Sequence, residues 1–418
     1  MSLSETSLLA GSSGVTSGYT IDQSIRFNDN DSPYLYKAYS GAGSKQTFTC
    51  SFWMKVGNVT SARRGLISFV QDVPLELYSA DNLRVFLFGS ERLVTRRKLR
   101  DVAAWYHIVL RVDSTETVSN NRIRLYINGE RETDFSAESY PSQNATGNMW
   151  GSNLLQFGRT YGSSYYFDGY LAEIHYADGY SYGPENFGEF KNNTDIWIPK
   201  EFEGSYGTNG VYLKGEDSSA FGNDSSGNDN DFGNVFGLTA SDQVLDSPTN
   251  NFCTGLPTGV GNATGVTFSE GNLTGKTSGT AGNWVSSIPV DSGKWYFEVN
   301  NHANGSGNNY GIGQTPDGSY HHFALGSGGN QINDYDIIVN TGSSGSIVGY
   351  KLDFDAGTLT HTTDGTSYSS TGSLAAGMAY AAFARLGSSS GHVAFNFGQD
   401  STFGGLQTAG SKSDDNGV

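Results

Sequence analysis

The sequence predicts an all-β protein of two antiparallel β-sandwich domains, and three observations carry that prediction. Glycine supplies 56 of the 418 residues, roughly twice the usual share of about 7%, and each glycine costs about 1 kcal/mol inside a helix. Apolar and polar residues alternate with period two in many short segments, as a strand with one buried face requires. Clusters of Gly, Asn, Asp and Ser punctuate these segments as turns. No G-X-Y period accompanies the glycine, which excludes collagen. The 24 Tyr and 24 Phe exclude a wholly disordered chain.

The elements follow in order. Residues 2–18 are small and polar and read as an arm. Ser24-Ile25-Arg26-Phe27 reads as a strand, and residues 28–32 as an Asx-rich turn. Residues 46–55 alternate cleanly, with Phe48, Cys50, Phe52 and Met54 on one side. Further strands are expected at 65–70, 82–88, 105–112 and 122–128. The last runs into Asn128-Gly129, a pair suited to the two positive-φ positions of a tight hairpin turn. Residues 90–128 contain no Gly or Pro, so a helix competes there; the β-branched alternation of residues 108–112 and 123–127 favours strands. A second block spans about 154–190. The stretch 215–251 is dense in Gly, Asp and Asn, and a separate strand series begins near 267, with members at 294–300, 310–313, 347–353, 358–362, 379–384 and 392–397. The expected organisation is therefore an arm (1–20), a first sandwich (21–214), a Gly/Asp/Asn-rich connector (215–262), a second sandwich (263–403) and a flexible tail (404–418).

Charge is unevenly placed in this chain of formal net charge −17. Residues 1–150 carry 16 Lys/Arg against 15 Asp/Glu, and residues 151–418 carry 9 against 27. So acidic a C-terminal portion disfavours nucleic acid as a partner. No apolar run approaches the ~20 residues of a membrane span, so no membrane insertion is expected. The N-terminal residues lack the basic and apolar regions of a secretory signal. Cys50 and Cys253 have no metal or redox spacing and read as separate buried thiols.

The order of motifs in residues 20–200 resembles the concanavalin A-like, laminin-G-type jelly-roll sandwich. The residues that carry this are 48–53, Asp101-Val102-Ala103-Ala104-Trp105-Tyr106-His107, Arg124-Leu125-Tyr126-Ile127-Asn128-Gly129-Glu130 and Phe167-Asp168-Gly169-Tyr170-Leu171-Ala172-Glu173-Ile174. A narrower resemblance follows in Ile198-Pro199-Lys200-Glu201-Phe202, residues 204–213, Asp224-Ser225-Ser226-Gly227-Asn228-Asp229-Asn230-Asp231-Phe232 and Asp246-Ser247-Pro248-Thr249-Asn250-Asn251-Phe252. This string is similar to a group of tailed-bacteriophage virion proteins in which a SPRY-like sandwich often comes next. Gly293-Lys294-Trp295-Tyr296-Phe297-Glu298-Val299, residues 349–355 and Val393-Ala394-Phe395-Asn396-Phe397-Gly398 resemble SPRY strands. The resemblance implies a non-enzymatic virion component (tail fibre, appendage or capsid fibre) in contact with other virion proteins. It also implies a homo-oligomer, trimeric where such proteins form fibres.

The jelly roll also hosts glucanases, which need two carboxylates across the scissile bond; no E-x-D-x-E spacing occurs, and Glu173 and Asp178 would face opposite sides of a straight strand. Gly387-Ser388-Ser389-Ser390-Gly391 matches a nucleophile elbow by letter, but lies between two strand-like segments and reads as a hairpin loop. His321-His322 has no metal spacing. Asp224, Asn228, Asp229 and Asp231 offer clustered oxygens of the kind Ca²⁺ takes, or an Asx/Gly turn bonded to its own backbone. Arg92, Arg96, Arg97, Lys98 and Arg100 form a basic cluster suited to docking a neighbouring subunit, or to guarding a strand edge. Tyr161, Tyr165 and Tyr166 lead a tyrosine run suited to stacking on a host-surface glycan, or to half-buried packing. Three functions remain: a virion structural protein, a glycan-binding adsorption module, and a polysaccharide-degrading enzyme on the same fold.

Overall fold

The computed structural model describes residues 18–59, 62–147, 150, 154–192, 194–257, 265–304, 308–315, 336–338, 344–387 and 390–408. The chain is all-β, with short 3₁₀ turns between strands, and it divides into two units, Val15–Thr249 and Asn250–Val418.

The first unit is a sandwich of two antiparallel sheets. One sheet runs Glu130–Arg131, Ile123–Ile127, Trp105–Asp113, Thr47–Val56, Gly169–Asp178, Ser24–Phe27 and Gln243–Val244, with Val211–Leu213 also paired to Gly169–Asp178. The other runs Phe135–Glu138, Ser90–Lys98, Asn82–Leu87, Val73–Tyr78, Arg64–Ser68, Leu154–Phe157, Tyr34–Ala38 and Asn234–Phe236. Alternation explains the core between them. Phe48, Cys50, Phe52 and Met54 of one sheet pack with Leu66, Leu75, Leu77, Leu83 and Val85 of the other, all buried. The segment that could have been a helix is three strands, and Asn128 (φ 51°) with Gly129 (φ 80°) turns the expected hairpin onto Glu130. Phe88 (φ 54°) and Gly89 (φ 68°) turn another between Leu87 and Ser90; no Asn-Gly pair announced it.

The connector expected at 215–262 is, as far as residue 249, part of this first unit. Asn234–Phe236 extends one sheet and Gln243–Val244 the other, while Phe221 and Phe232 enter the core. The Gly and Asx residues that suggested a linker close tight turns between short edge strands instead.

The second unit has a seven-stranded sheet, Val266–Ser269, Thr274–Thr277, Gly391–Asn396, Lys294–Asn304, Ser346–Asp353, Thr358–Thr362 and Ser369–Ser373. A four-stranded sheet faces its own apolar side: Gly282–Val285, Ala379–Leu386, Asn309–Thr315 and Asp336–Ile338. Trp284 stacks on Phe395 at 3.7 Å in its core, beside Phe297 and Tyr350. The strands flanking Gly387–Gly391 belong to different sheets, so this segment crosses between sheets and is not a hairpin; Ser388 and Ser389 themselves lie outside the described residues. The expected flexible tail begins inside a described turn, closed by the Gln407 N–H to the Thr402 carbonyl at 2.9 Å. Cys50 and Cys253 are both buried free thiols, and burial pushes the Cys50 thiol well up. No helix among the described residues is long and apolar enough to cross a membrane.

Candidate functional site

The two outer faces of the first sandwich carry the chemistry, and they differ. On the first sheet, residues of odd parity in Thr47–Val56 point away from the core: Ser51, Trp53 and Lys55, each nearly or wholly buried. Tyr19, Ile21, Trp197 and Val244 cover this face. Buried here, a charge needs a partner. Lys55 Nζ meets Asp246 Oδ2 at 2.8 Å, and Trp105 Nε1–H donates to Asp246 Oδ1 at 3.0 Å. Arg26 meets Asp242 at 3.4 Å.

Beside them lies a group that resembles catalytic machinery. Ser51 Oγ is 2.9 Å from His107 Nε2, and Trp197 Nε1 is 2.9 Å from His107 Nδ1. An indole N–H can only donate, so Nδ1 is the acceptor and the proton of the neutral ring sits on Nε2, donated to Ser51. Burial first, then the nearby His175, lowers the His107 pKa to about 3, which keeps the ring neutral. A serine nucleophile needs the opposite tautomer, with a free lone pair facing its hydroxyl. The arrangement holds Ser51; it does not activate it.

Glu173 occupies a bulge where the register with Thr47–Val56 skips from Ala172 to His175, at φ 51°. The extra residue turns its carboxylate to the covered face. Its Oε2 accepts from Tyr19 at 2.7 Å and Tyr212 at 2.6 Å and lies 3.6 Å from His175 Nε2. Burial pushes this carboxyl up, but hydrogen bonds from His175, Tyr212 and Tyr19 outweigh it and hold the carboxyl below its usual range. Asp178, the nearest candidate partner for a glucanase pair, accepts from the Ser44 N–H at 2.7 Å. The packing around Ser51, His107 and Glu173 leaves no space for a water molecule.

The outer face of the second sheet is half-exposed and aromatic. Tyr34 and Tyr36, two apart on one strand, stand beside Phe236 of the neighbouring strand, with centroids 4.7 Å (Tyr34) and 6.0 Å (Tyr36) from it. The Arg159 guanidinium lies 3.6 Å over Tyr34 and 5.8 Å from Tyr166. Arg63 lies 4.7 Å over Tyr165 and 5.8 Å from Tyr78, and Arg84 lies 4.5 Å over Tyr78 and 5.3 Å from Phe86. These contacts make a stripe of two groups, one from Tyr36 through Phe236, Tyr34 and Arg159 to Tyr166 and one from Tyr165 through Arg63, Tyr78 and Arg84 to Phe86, which the chain joins at Tyr165-Tyr166. Residues 159–166 form a loop pinned onto it. Ser68 Oγ donates to the Arg159 carbonyl at 2.8 Å, Gln156 Nε2 donates to the same carbonyl at 3.0 Å, and the Gly65 N–H reaches the Tyr165 carbonyl at 3.0 Å. Buried Glu76 holds Arg63 at 2.9 Å and Arg84 at 2.7 Å. Phe236 is 43% exposed and Tyr165 39%, so the stripe offers rings and N–H edges to a ligand.

Of the tyrosines expected to stack on a glycan, Tyr165 and Tyr166 sit on this stripe, and Tyr161 lies exposed on the same loop, its N–H held by Ser68 Oγ at 3.0 Å. Tyr34, Tyr36, Phe236 and Arg159 were missed. Tyr34-Leu35-Tyr36 was legible as two rings on one strand face; Phe236, some 200 residues away, was not. The basic cluster is largely used internally. Arg92 donates to the Leu87 and Phe88 carbonyls, Arg96 pairs with Asp134 at 3.2 Å, Arg97 with Glu132 at 3.1 Å and Arg100 with Asp81 at 2.9 Å. Lys98 is exposed at the end of the strand.

The oxygens expected to suit Ca²⁺ serve the backbone. Asp224 accepts from the Tyr212, Ser226 and Asn230 N–H groups and the Ser226 hydroxyl, at 2.7–2.9 Å. Asp231 accepts from the Asp224 N–H at 2.8 Å, Asn228 donates to the Gly207 and Gly210 carbonyls, and Asp229 is an exposed positive-φ turn residue. A polar cleft of about 420 Å³ adjoins this loop, lined by Lys214, Glu216, Asp217, Asp224 and Asp231. Among the described residues no three His, Cys, Asp or Glu side chains group as a metal site; the Asx turn accounts for the spacing. His321 and His322 lie outside the described residues.

A two-sheet sandwich with one sealed and one aromatic outer face defines the class of the first unit, and comparison agrees on its fold. Residues 22–179 match the family described as the concanavalin A-like lectin/glucanases superfamily. No curated protein matches the chain. Among solved structures, the chain is similar to a putative carbohydrate binding protein from Bacteroides ovatus ATCC 8483, at 15% identity and TM-score 0.28, covering 44% of this chain and 61% of that one. The match thus spans about three fifths of that protein. It is also similar to the SPRY domain of human HERC1 (15% identity, TM-score 0.24, 30% of this chain and 89% of that one). The TRIM65 PSpry domain is a further likeness (12% identity, TM-score 0.26, 34% and 88%).

Proposed function

We propose that this chain is a non-enzymatic glycan-binding protein whose first sandwich takes sugars on the open face of its second sheet. The observation that carries this reading is the half-exposed stripe of rings and guanidinium groups, on a unit whose sequence matches a lectin and glucanase superfamily. The apolar faces of pyranose rings stack on aromatic side chains, and arginine N–H edges bind hydroxyl or charged groups. The non-enzymatic part is supported by the first sheet, where the one Ser–His contact has the wrong tautomer and Glu173 is sealed beneath Tyr19 and Tyr212. A glycan array with the wild-type chain and Phe236→Ala tests the reading. Binding that weakens roughly tenfold in the variant, about 1.4 kcal/mol, is expected; an array without any bound glycan overturns it. Reducing-sugar release from a bound polymer would instead favour a polysaccharide-degrading enzyme.

The same reading extends to a setting. The motif string through residues 198–252 supports a role as a tail fibre, appendage or capsid fibre of a tailed-bacteriophage virion, oligomeric and in contact with other virion proteins, with the open face turned to the host. Purified particles assayed by mass spectrometry and immunogold labelling test it; absence of the chain from particles would remove the virion role and leave glycan binding standing.

A further inference from the structure

We infer that the open face is built for acidic polysaccharides, with Arg159 receiving a sugar carboxylate while the ring of that sugar lies against the array of Phe236, Tyr34 and Tyr36. This rests on the glycan-binding reading and adds the class of ligand.

The argument comes from how the three arginines of the stripe are balanced. Arg63 and Arg84 share the buried Glu76, at 2.9 and 2.7 Å, and Arg84 also reaches Glu91 at 3.5 Å. Arg159 has no carboxylate within ion-pair distance among the described residues. Its single side-chain hydrogen bond there is a long one, Nη2–H to Gln156 Oε1 at 3.4 Å, and its Nε, buried, has no hydrogen-bond partner. The stripe thus carries three positive charges against two negative ones, and the uncompensated one is Arg159.

Its orientation is also fixed in advance. Stacking at 3.6 Å on Tyr34 orients the guanidinium plane, and Tyr34 stands in turn against Phe236 at 4.7 Å. The loop bearing Arg159 is pinned through its own carbonyl by Ser68 and Gln156. A planar fork held this way loses little freedom when it binds a carboxylate edge-on, and such charge-assisted contacts are roughly twice as strong as neutral ones. The net negative charge of the chain opposes any polyanion at long range. That field is screened over about 10 Å at ordinary ionic strength, so the groups in contact set the preference.

The test uses the full chain and a panel of polygalacturonate, alginate and polysialate, each paired with its methyl-esterified form, with dextran and dextran sulfate alongside. At least one free-acid polymer is expected to bind about tenfold tighter than its ester. Arg159→Gln should weaken binding of the acid by more than binding of the ester, so that the preference is lost while the cooperative unfolding transition is retained, and Arg159→Lys should restore part of the preference. Equal affinity for acid and ester overturns the acidic-ligand inference while glycan binding stands. So does dextran sulfate binding that matches the acids and ignores Arg159→Gln, since it reports charge alone. Free acids unbound while a neutral glycan binds through Phe236 has the same effect. No binding to any polymer or array glycan overturns the glycan-binding reading itself.

Discussion

The two outer faces of the first sandwich began from the same requirement and ended differently. Each sheet turns one side to the core and must do something with the other. The first sheet places Lys55, Arg26, His107 and Glu173 on that side and then covers them, so each is matched with a fixed partner. The second sheet places Tyr34, Tyr36, Tyr78 and Arg84 there and leaves them half in water. Polar groups that are buried are committed to structure, because leaving one unpaired is costly. Rings that are exposed cost hydration free energy and gain nothing in the isolated fold. A cluster of titratable residues thus marks the covered, structural face here, and the aromatic stripe lies on the exposed face, where the glycan site is proposed.

Four measurements test that contrast. The largest effect is expected at Asp246→Ala, which strands Lys55 in a fully buried site and should destabilise the first unit by about 3–5 kcal/mol in denaturant unfolding. Lys55→Met combined with Asp246→Leu should recover most of that loss, since removing both charges removes the desolvation penalty; a double variant as unstable as Asp246→Ala would show that the pair is not the source.

Acid should act next. His107 is neutral in the fold, with its pKa lowered from 6.5 to about 3, so below pH 6.5 the unfolded chain takes up a proton that the folded chain refuses. Its contribution is complete above pH 6.5, falls by roughly 1.4 kcal/mol per pH unit as the pH drops, and levels off near pH 3. His107→Gln, which can still donate to Ser51, should flatten that fall in unfolding curves recorded across the window. An unchanged slope would mean that the ring is solvated.

Gly65→Ala should act on the open face without touching a ring. A Cβ there would stand 2.1 Å from the Thr160 backbone nitrogen and 2.3 Å from the Arg159 carbonyl carbon, so the pinned loop must shift. Overpacking of this kind costs about 1–3 kcal/mol, and sugar affinity should fall with it. Affinity that stays intact in titration would show that the placement of Arg159 by the loop does not matter. The smallest effect is expected at Tyr161→Ala, whose exposed ring has no aromatic or cationic neighbour among the described residues; stability should move by no more than about 0.5 kcal/mol, and affinity less than at Phe236.

Much of the fold was legible because alternation and turn chemistry act locally. Residues 46–55 announce their buried side with every second residue, and Asn128-Gly129 can take the two positive-φ angles its hairpin needs. The stretch 215–249 misled because Gly and Asx serve a linker and a tight turn between short strands equally well. The candidate site was legible only in part. Tyr165 and Tyr166 were visible as a local cluster, and the five cations near residue 96 were visible as charge, but ion pairs with Asp81, Glu132 and Asp134 occupy three of them. Glu173 and Asp178 were judged on a straight strand, and the bulge that redirects Glu173 leaves no local mark.

By itself, the sequence determined that this is an all-β chain, which residues form most strands and which side of each faces a core, because those follow from period-two patterning and backbone sterics within a few residues. Tertiary structure decided which of the two outer faces is covered, which of the three stripe arginines has no carboxylate beside it among the described residues, and which rings stand together. Those outcomes depend on segments far apart in the chain, as where Phe236 meets Tyr34 and Asp246 meets Lys55, and no local pattern encodes such meetings.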